Sequence, residues 1–437
     1  MPAQKKVWVF DGSIAQYPNS FLSTVHGLVD CTTCHGGNNL ASTRTEAHDS
    51  TWQANPGADK CQGCHPTIAQ TTANGLHVNL GGYVKVLGDR GFDFTEGTVS
   101  KARFDQQCTK CHVANAETKP ACGFCHVSVP VTAGGGLLDG HNFRKTPDMD
   151  RNCTACHGSR VKDEFYGNNG PLTARNGLGY AAPLPDVHFA QTQELNADGY
   201  KKGCTFCHSE AEMHGQGAPA PTGSGDRYAV TSAPTCEGCH QNLVGANTLH
   251  SAGHMATLAC QSCHSQPYKN CFGCHTDVDT TDTGLPFYRI NEGDPTLAER
   301  SAVDASATPD ALMAFRIGKN PKWAGTGDTA HKKYGLLRHV PVDKDVFKYP
   351  SSDPVDGLIP NMAAQPTWKY ATPHNIQLNP HSFSCNSCHD ATGYAENWLT
   401  DPLQNAQGWL QDAYKADEQA ANTGVIMTAP PQMDAQP

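Results

Sequence analysis

The residues of this 437-residue chain with the most distinctive chemistry are its 20 cysteines and 22 histidines. All of the cysteines fall into one five-residue pattern, Cys-x-x-Cys-His, which occurs ten times. The pattern leaves no cysteine of this sequence for a disulfide or a lipid anchor. The paired cysteines are Cys31 and Cys34, Cys61 and Cys64, Cys108 and Cys111, Cys122 and Cys125, Cys153 and Cys156, Cys204 and Cys207, Cys236 and Cys239, Cys260 and Cys263, Cys271 and Cys274, and Cys385 and Cys388.

The spacing of this pattern suits covalent attachment of a porphyrin. Two thiols three positions apart can each form a thioether with one vinyl group of a haem, and the adjacent histidine can reach the iron. A redox dithiol would occur once, and zinc sites would not need a histidine after every second cysteine. A disulfide scaffold would not repeat one local spacing ten times. The pattern therefore predicts ten haems of the c type.

The histidines divide into motif residues and others. The ten predicted proximal ligands are His35, His65, His112, His126, His157, His208, His240, His264, His275 and His389. Candidates for the sixth ligand are the twelve remaining histidines: His26, His48, His77, His141, His188, His214, His250, His254, His331, His339, His374 and His381. Ten bis-His irons need ten of these twelve, which leaves two spare or available to a neighbouring subunit. Bis-His ligation implies low reduction potentials.

Sequence position alone does not pair these ligands. His26 and His381 each lie a few residues before a motif, yet neither need serve the haem attached there. His250 and His254 are spaced i, i+4, so on a helix they share a face and can address two irons. Short spacing between motifs in residues 108–126 and 260–275 predicts neighbouring haems at those two places.

Composition predicts the elements that position these residues. With 42 Gly, 29 Pro and only 38% apolar residues, we expect mostly coil with short α-helices and few β-strands, organised around a stacked chain of ten covalently bound haems. Four regions are predicted: 1–140 with four haems, 141–275 with five, 276–384 as a haem-poor wrap or small β-containing segment supplying distal histidines, and 385–437 with one haem, a helix and a flexible tail. The run LLRHVPVDKDVFKYP predicts short strands in the third region.

The net charge of −10 excludes some partners. It disfavours nucleic acid and anionic membranes and favours basic proteins or metal cations. No stretch approaches the roughly 18–20 apolar residues of a membrane span. A calcium site at the acidic run DVDTTDTG stays an alternative, although the spacing of its aspartates does not fit an EF-hand.

Several segments resemble a known family. CTACHGSRVKDEFYG, PDVHF, EMHGQG, CQSCHSQPYKNCFGCH, LLRHVPV and PTWKYATPHNIQLNPHSFSCNSCH are similar to one branch of the large multihaem c-type cytochromes of metal-reducing bacteria, over most of residues 141–390. The resemblance implies haem stacks that carry electrons to or beyond the cell surface, and some members polymerise into filaments. From it we expect an extracellular electron carrier that is not an enzyme, with other redox proteins or extracellular metals as partners and with self-association into a homopolymer.

Two alternatives remain open from the sequence. The first is a multihaem oxidoreductase in which one open haem reduces a small nitrogen or sulfur oxyanion. The nitrite-reductase signature, a Cys-x-x-Cys-Lys motif, does not occur in the sequence. The second is a monomeric electron shuttle of the periplasm, because haem is attached to thiols outside the cytoplasm. The electron donor, the acceptor, the haem order and the potentials are left undetermined.

Overall fold

The structure is a computed structural model that describes about half of the chain. The described residues are 24–53, 56–79, 81–88, 93–98, 101–102, 122–127, 143–154, 157, 161–168, 172–173, 179–180, 184–216, 228, 230–266, 276–279, 287–290, 315–339, 368–379 and 388. The helix predicted after His389 lies outside these residues, as does the second half of LLRHVPVDKDVFKYP.

The described part is mostly coil with short helices, as the composition predicts. The longest has eight residues, and among the described residues no helix has the length and apolarity to cross a membrane. The α-helices are Cys31–His35, Arg44–Ala47, Ala58–Cys61, Pro66–Thr72, Leu76–Asn79, Gly81–Gly88, Cys122–His126, Asp163–Tyr166, Phe189–Gln193, Glu210–Met213, Cys236–Cys239, Ala252–Thr257 and Gln261–His264. Single turns of other helix types lie at His26–Leu28, Met149–Cys153 and Gly203–Phe206.

Polar caps explain where several of these short helices begin. Asp30 accepts the backbone N–H of Thr32, and Ser209 accepts that of Glu212. Thr235 and Ser251 cap the helices Cys236–Cys239 and Ala252–Thr257 in the same way. Each cap satisfies one of the backbone donors that a helix N-terminus leaves without a partner, typically stabilising it by about 1 kcal/mol. Local capping therefore supports turns that are too short to be stable by propensity.

The strands form three small antiparallel sheets. β1 (Leu172–Thr173) pairs with β2 (Gly179–Tyr180), and β3 (Thr276–Asp279) pairs with β4 (Phe287–Ile290). The largest sheet has the order β5-β6-β7, with β5 at Phe315–Lys319, β6 at Tyr334–His339 and β7 at Trp368–Tyr370. β6 confirms the strand predicted at LLRH.

The chain clusters into two compact units. The first comprises Met1–Lys85, Arg103–Gly158 and Ala190–Pro234, and the second comprises Val86–Ala102, Ser159–Phe189 and Thr235–Pro437. Six of the ten motifs belong to the first unit and four to the second. The four regions drawn from motif spacing stay a prediction.

Buried apolar side chains are few in the described part. In the second unit Ile317, Leu336, Leu337 and Ala371 are each at most 2% exposed and belong to the β5-β6-β7 sheet or directly follow it. The Ala259 amide donates to the Tyr334 carbonyl at 2.9 Å, which ties this sheet to the motif that begins at the next residue. The sheet thus positions one Cys-x-x-Cys-His site.

A buried polar clamp completes the second unit. Asn375, fully buried, donates its amide to the Gln266 carbonyl at 2.6 Å, and its Oδ1 accepts the Gln266 N–H at 3.3 Å. Gln377 donates to the Pro185 carbonyl at 2.7 Å. We define residues 371–377 as the clamp segment. It joins the loop before His188 to the end of the helix Gln261–His264.

The clamp predicts a large stability loss for Asn375→Ala. The change leaves a donor and an acceptor of Gln266 without their side-chain partner in a buried place, and each such group costs about 1–3 kcal/mol. The thermal unfolding midpoint of the full chain should fall. Asn168→Ala, at an exposed asparagine of the same unit, is the matched control and should leave the midpoint unchanged. Equal midpoints for the two variants would contradict the role of the clamp.

Candidate functional site

The Cys-x-x-Cys-His motifs in the described part of the chain fold into single helical turns. In five of them the histidine N–H donates to the first cysteine carbonyl at 2.8–3.0 Å, in the motifs that end at His65, His157, His208, His240 and His264. Residues three and four apart share one helix face. Where both cysteines are described, the turn therefore places both sulfurs and the imidazole on one side, as attachment of a single porphyrin requires.

Five motif histidines face a histidine from outside the motifs. The ring centroids are 5.9–6.1 Å apart in every case. The pairs are His26 with His65, His77 with His157, His214 with His126, His188 with His240, and His250 with His264. Each pair combines one predicted proximal ligand with one predicted distal ligand, and each lies within a single unit.

The distance within these pairs is constant, whereas the ring angle is not. The interplanar angle runs from 13° for His250 and His264 to 82° for His77 and His157. Direct ring contacts of histidine in this chain are shorter, at 4.1 Å between His26 and Phe143. Two imidazole nitrogens that ligate one metal from opposite sides, each at about 2 Å, place the ring centroids about 6 Å apart at any angle. The pairs therefore fit axial ligation better than stacking.

Hydrogen bonds at Nδ1 determine which ring nitrogen carries the proton in several neutral motif imidazoles. His35 donates to the Gln53 carbonyl at 2.8 Å, His126 to the Arg144 carbonyl at 2.7 Å and His264 to the Gln377 carbonyl at 2.8 Å. A carbonyl oxygen only accepts, so Nδ1 carries the proton and Nε2 keeps its lone pair. Metal-ligating histidines almost always have such a partner on the second nitrogen.

Carboxylates take the place of the carbonyl at three other histidines. His208 is bound by Glu212 at 2.9 Å and His188 by Asp186 at 2.8 Å. His331 is bound by Asp328 at 3.2 Å. These three acids were not predicted from the sequence. Their signal is the short spacing to the histidine, at i+4, i−2 and i−3.

Several ring pairs join a histidine that lies beside one motif in the chain to the histidine of another motif, an arrangement that the sequence left open. His26 lies just before the first motif but faces His65 of the second. His188 and His214 flank the sixth motif, yet they face His240 of the seventh and His126 of the fourth. The fold, and not proximity in the chain, therefore determines which motif each of these histidines faces.

First cysteines of different motifs also meet. The thiols of Cys61 and Cys122 share a hydrogen bond, which raises the pKa of Cys61 and lowers that of Cys122 to about 7. The same contact, with a raised and a lowered pKa, joins Cys153 to Cys204 and Cys260 to Cys236. These contacts bring together motifs 2 and 4, 5 and 6, and 7 and 8. The pairs predicted within 108–126 and 260–275 include undescribed residues.

Exposed apolar side chains border the paired imidazoles. Val25, Val187 and Leu249 precede His26, His188 and His250 in the chain and are 80%, 40% and 60% exposed. Phe206, inside the sixth motif, is 42% exposed. Thiols, imidazoles and apolar neighbours together fit a haem.

The remaining predicted ligands have other contacts or lie outside the described residues. His48 packs on Trp52 at 4.4 Å, and His254 donates to the Leu249 carbonyl at 3.0 Å. The His374 amide donates to Glu164, and His339 ends β6. Within the described ranges, no group of three or more His, Cys, Asp or Glu side chains is arranged to hold a metal by itself. The predicted site residues outside these ranges are Cys108, Cys111, His112, His141, Cys156, Cys271, Cys274, His275, His381, Cys385 and His389.

The Asp328 loop predicts an acid-resistant element beside His331. Backbone N–H donors of Ala324, Ala330 and His331 lower the pKa of Asp328 to about 2. Because the folded pKa lies below the ordinary value, the stabilisation is present above about pH 4 and is lost only as pH falls through about 2. Amide exchange at Ala330 and His331 should remain slow at pH 3. In Asp328→Asn it should be fast at pH 7, and loss of wild-type protection already at pH 4 would contradict the assignment.

Comparison of the chain with known proteins found no match among family models, curated proteins or solved structures. The candidate site therefore rests on three independent features of the chain. These are the ring pairs at a constant distance, the Nδ1 partners that fix the tautomer, and the contacts between first cysteines of different motifs.

Proposed function

We propose that this chain is an electron-transfer protein whose ten Cys-x-x-Cys-His motifs each hold a c-type haem between two histidines. The observation that carries the proposal is the set of five ring pairs at 5.9–6.1 Å, each joining a motif histidine to one outside the motifs. Chance packing of histidines would vary in distance and would not select one member of each class every time.

The residues of each site have separate roles. The two cysteines hold the group covalently, the motif histidine supplies one axial nitrogen, and the facing histidine supplies the other. Haem iron with both axial positions filled gains and loses one electron and offers no position to a substrate. Nδ1 partners such as the Gln377 carbonyl hold the imidazoles in orientation.

The cysteine contacts support transfer between sites. The three contacts join the attachment points of motifs 2 and 4, 5 and 6, and 7 and 8. An electron carrier needs its centres close together, whereas an enzyme needs one centre open to substrate. The described pairs therefore favour conduction over the oxidoreductase alternative.

The location and the partners that we propose follow from the net charge and from the chemistry of haem attachment. Because haem is attached outside the cytoplasm, we place the protein at the cell surface or in the extracellular space, with the periplasm as the alternative. A net charge of −10 before cofactors suits basic redox proteins or metal cations as partners. Self-association into a conductive filament fits the twelve distal candidates, since two exceed the number that ten haems need.

The proposal predicts ten covalent haems per chain. Acid–acetone extraction should leave the colour with the protein, and the pyridine haemochrome should give ten haems for each 46.8 kDa chain. Ferric EPR should show low-spin signals only. A high-spin signal that cyanide or nitrite perturbs would instead support the oxidoreductase, and absence of covalent haem would refute both.

The crosswise pairing predicts which haem loses a ligand in His26→Ala. One haem in ten should become high-spin, because the ring facing His65 is removed. Adding Cys61→Ala and Cys64→Ala should abolish that high-spin signal, since the affected haem is no longer attached. Adding Cys31→Ala and Cys34→Ala should leave it. The reverse result would show that His26 serves its nearest motif.

A further inference from the structure

We propose that the Glu212 and Asp186 carboxylates act through the imidazoles that they bind and lower the reduction potentials of the haems of the sixth and seventh motifs. Each carboxylate binds Nδ1 of an axial imidazole and makes that ring a stronger donor to ferric iron. The inference rests on the proposed function, because it concerns how the same sites are tuned.

Glu212 is built into the sixth motif's surroundings. Its carboxylate lies 2.9 Å from His208 Nδ1, and its side chain is only 10% exposed. The helix Glu210–Met213, capped by Ser209, places Glu212 one turn after His208. Low exposure limits competition from water for this bond.

Asp186 is held still more rigidly. Asp186 Oδ1 accepts hydrogen bonds from the backbone N–H and from the ring Nδ1–H of His188, both at 2.8 Å. Its Oδ2 accepts the Ile376 amide of the clamp segment at 2.7 Å. Its side chain is 4% exposed. Both oxygens are therefore fixed by the backbone, and His188 faces His240 of the seventh motif.

His331 also has a carboxylate partner, Asp328, at 3.2 Å, whereas several motif imidazoles have neutral partners. Neutral carbonyls accept from His35, His126 and His264. The buried Nδ1 atoms of His214 and His250 have no hydrogen-bond partner among the described residues. The chain thus presents three classes of axial donor: carboxylate-bound, carbonyl-bound and buried without a partner in this part of the chain.

The physical reason for a lower potential is charge. A carboxylate draws the Nδ1 proton toward itself, which raises the basicity of the ligating nitrogen. A more basic ligand stabilises the ferric form over the ferrous form, so the potential falls. Burial strengthens the effect because it reduces screening of the charge by water. We therefore expect the sixth haem to have a lower potential than the fourth, and the seventh a lower potential than the eighth, because carbonyls bind His126 and His264.

The test is a spectroelectrochemical titration of the holoprotein and its variants. Glu212→Gln keeps an oxygen that can accept from His208 but removes the charge. It should move one haem in ten to a more positive potential, with ten haems and a low-spin EPR spectrum retained. Asp186→Asn should move a second haem, and the double variant should move two. Glu194→Gln removes an exposed carboxylate that pairs with Lys202, and it controls for loss of charge alone.

Each outcome has a defined meaning. A Glu212→Gln titration that superimposes on the wild type, or shifts no more than Glu194→Gln, overturns the tuning proposal while leaving the haem assignment intact. Loss of the low-spin signal in Glu212→Gln also overturns it, because Glu212 would then hold the ring and not tune it. A protein without covalent haem fails the proposed function before any titration.

Discussion

The structure depends on one constraint, the fixed separation of about 6 Å between a motif imidazole and the imidazole that faces it. The motif side of each pair is local, because a single helical turn from the first cysteine carbonyl to the histidine N–H sets it. In four of the five pairs the facing histidine is far away in the chain, whereas only a short helix separates His250 from His264. Each pair therefore brings another segment of the chain onto a motif turn.

Packing of side chains contributes less than in an ordinary globular domain. The described buried apolar residues are few, and Asp186, Asn375 and Gln266 are buried polar groups joined by hydrogen bonds. A buried polar network of this kind has exact directional requirements, so it specifies one arrangement where an apolar core tolerates several. Through this network the clamp segment orients two imidazoles of different pairs. Its Ile376 amide binds Asp186, which binds His188, and its Gln377 carbonyl accepts from His264.

Part of this arrangement could be predicted from the sequence. The ten motifs, their histidines and the scarcity of long elements follow from local spacing and composition. The pairing could not be predicted, because His214 and His126 meet through tertiary closure and no local period encodes it. The sulfur contact between Cys236 and Cys260 was missed for the same reason, since motif spacing pointed to 260–275. Glu212 was within reach, because it lies only four residues after His208 in the chain.

The carbonyl partners show why some functional atoms leave no sequence signal at all. Gln53, Arg144 and Gln377 contribute backbone oxygens to His35, His126 and His264. Any residue supplies a carbonyl, so these positions are constrained in backbone path and not in side chain. A chain can therefore keep its imidazole orientation while its coil segments change in sequence. The carboxylate partners differ, because only Asp or Glu supplies the charge. Under the proposed function, the side chains at 186 and 212 are therefore positions where a haem potential can change without movement of the backbone.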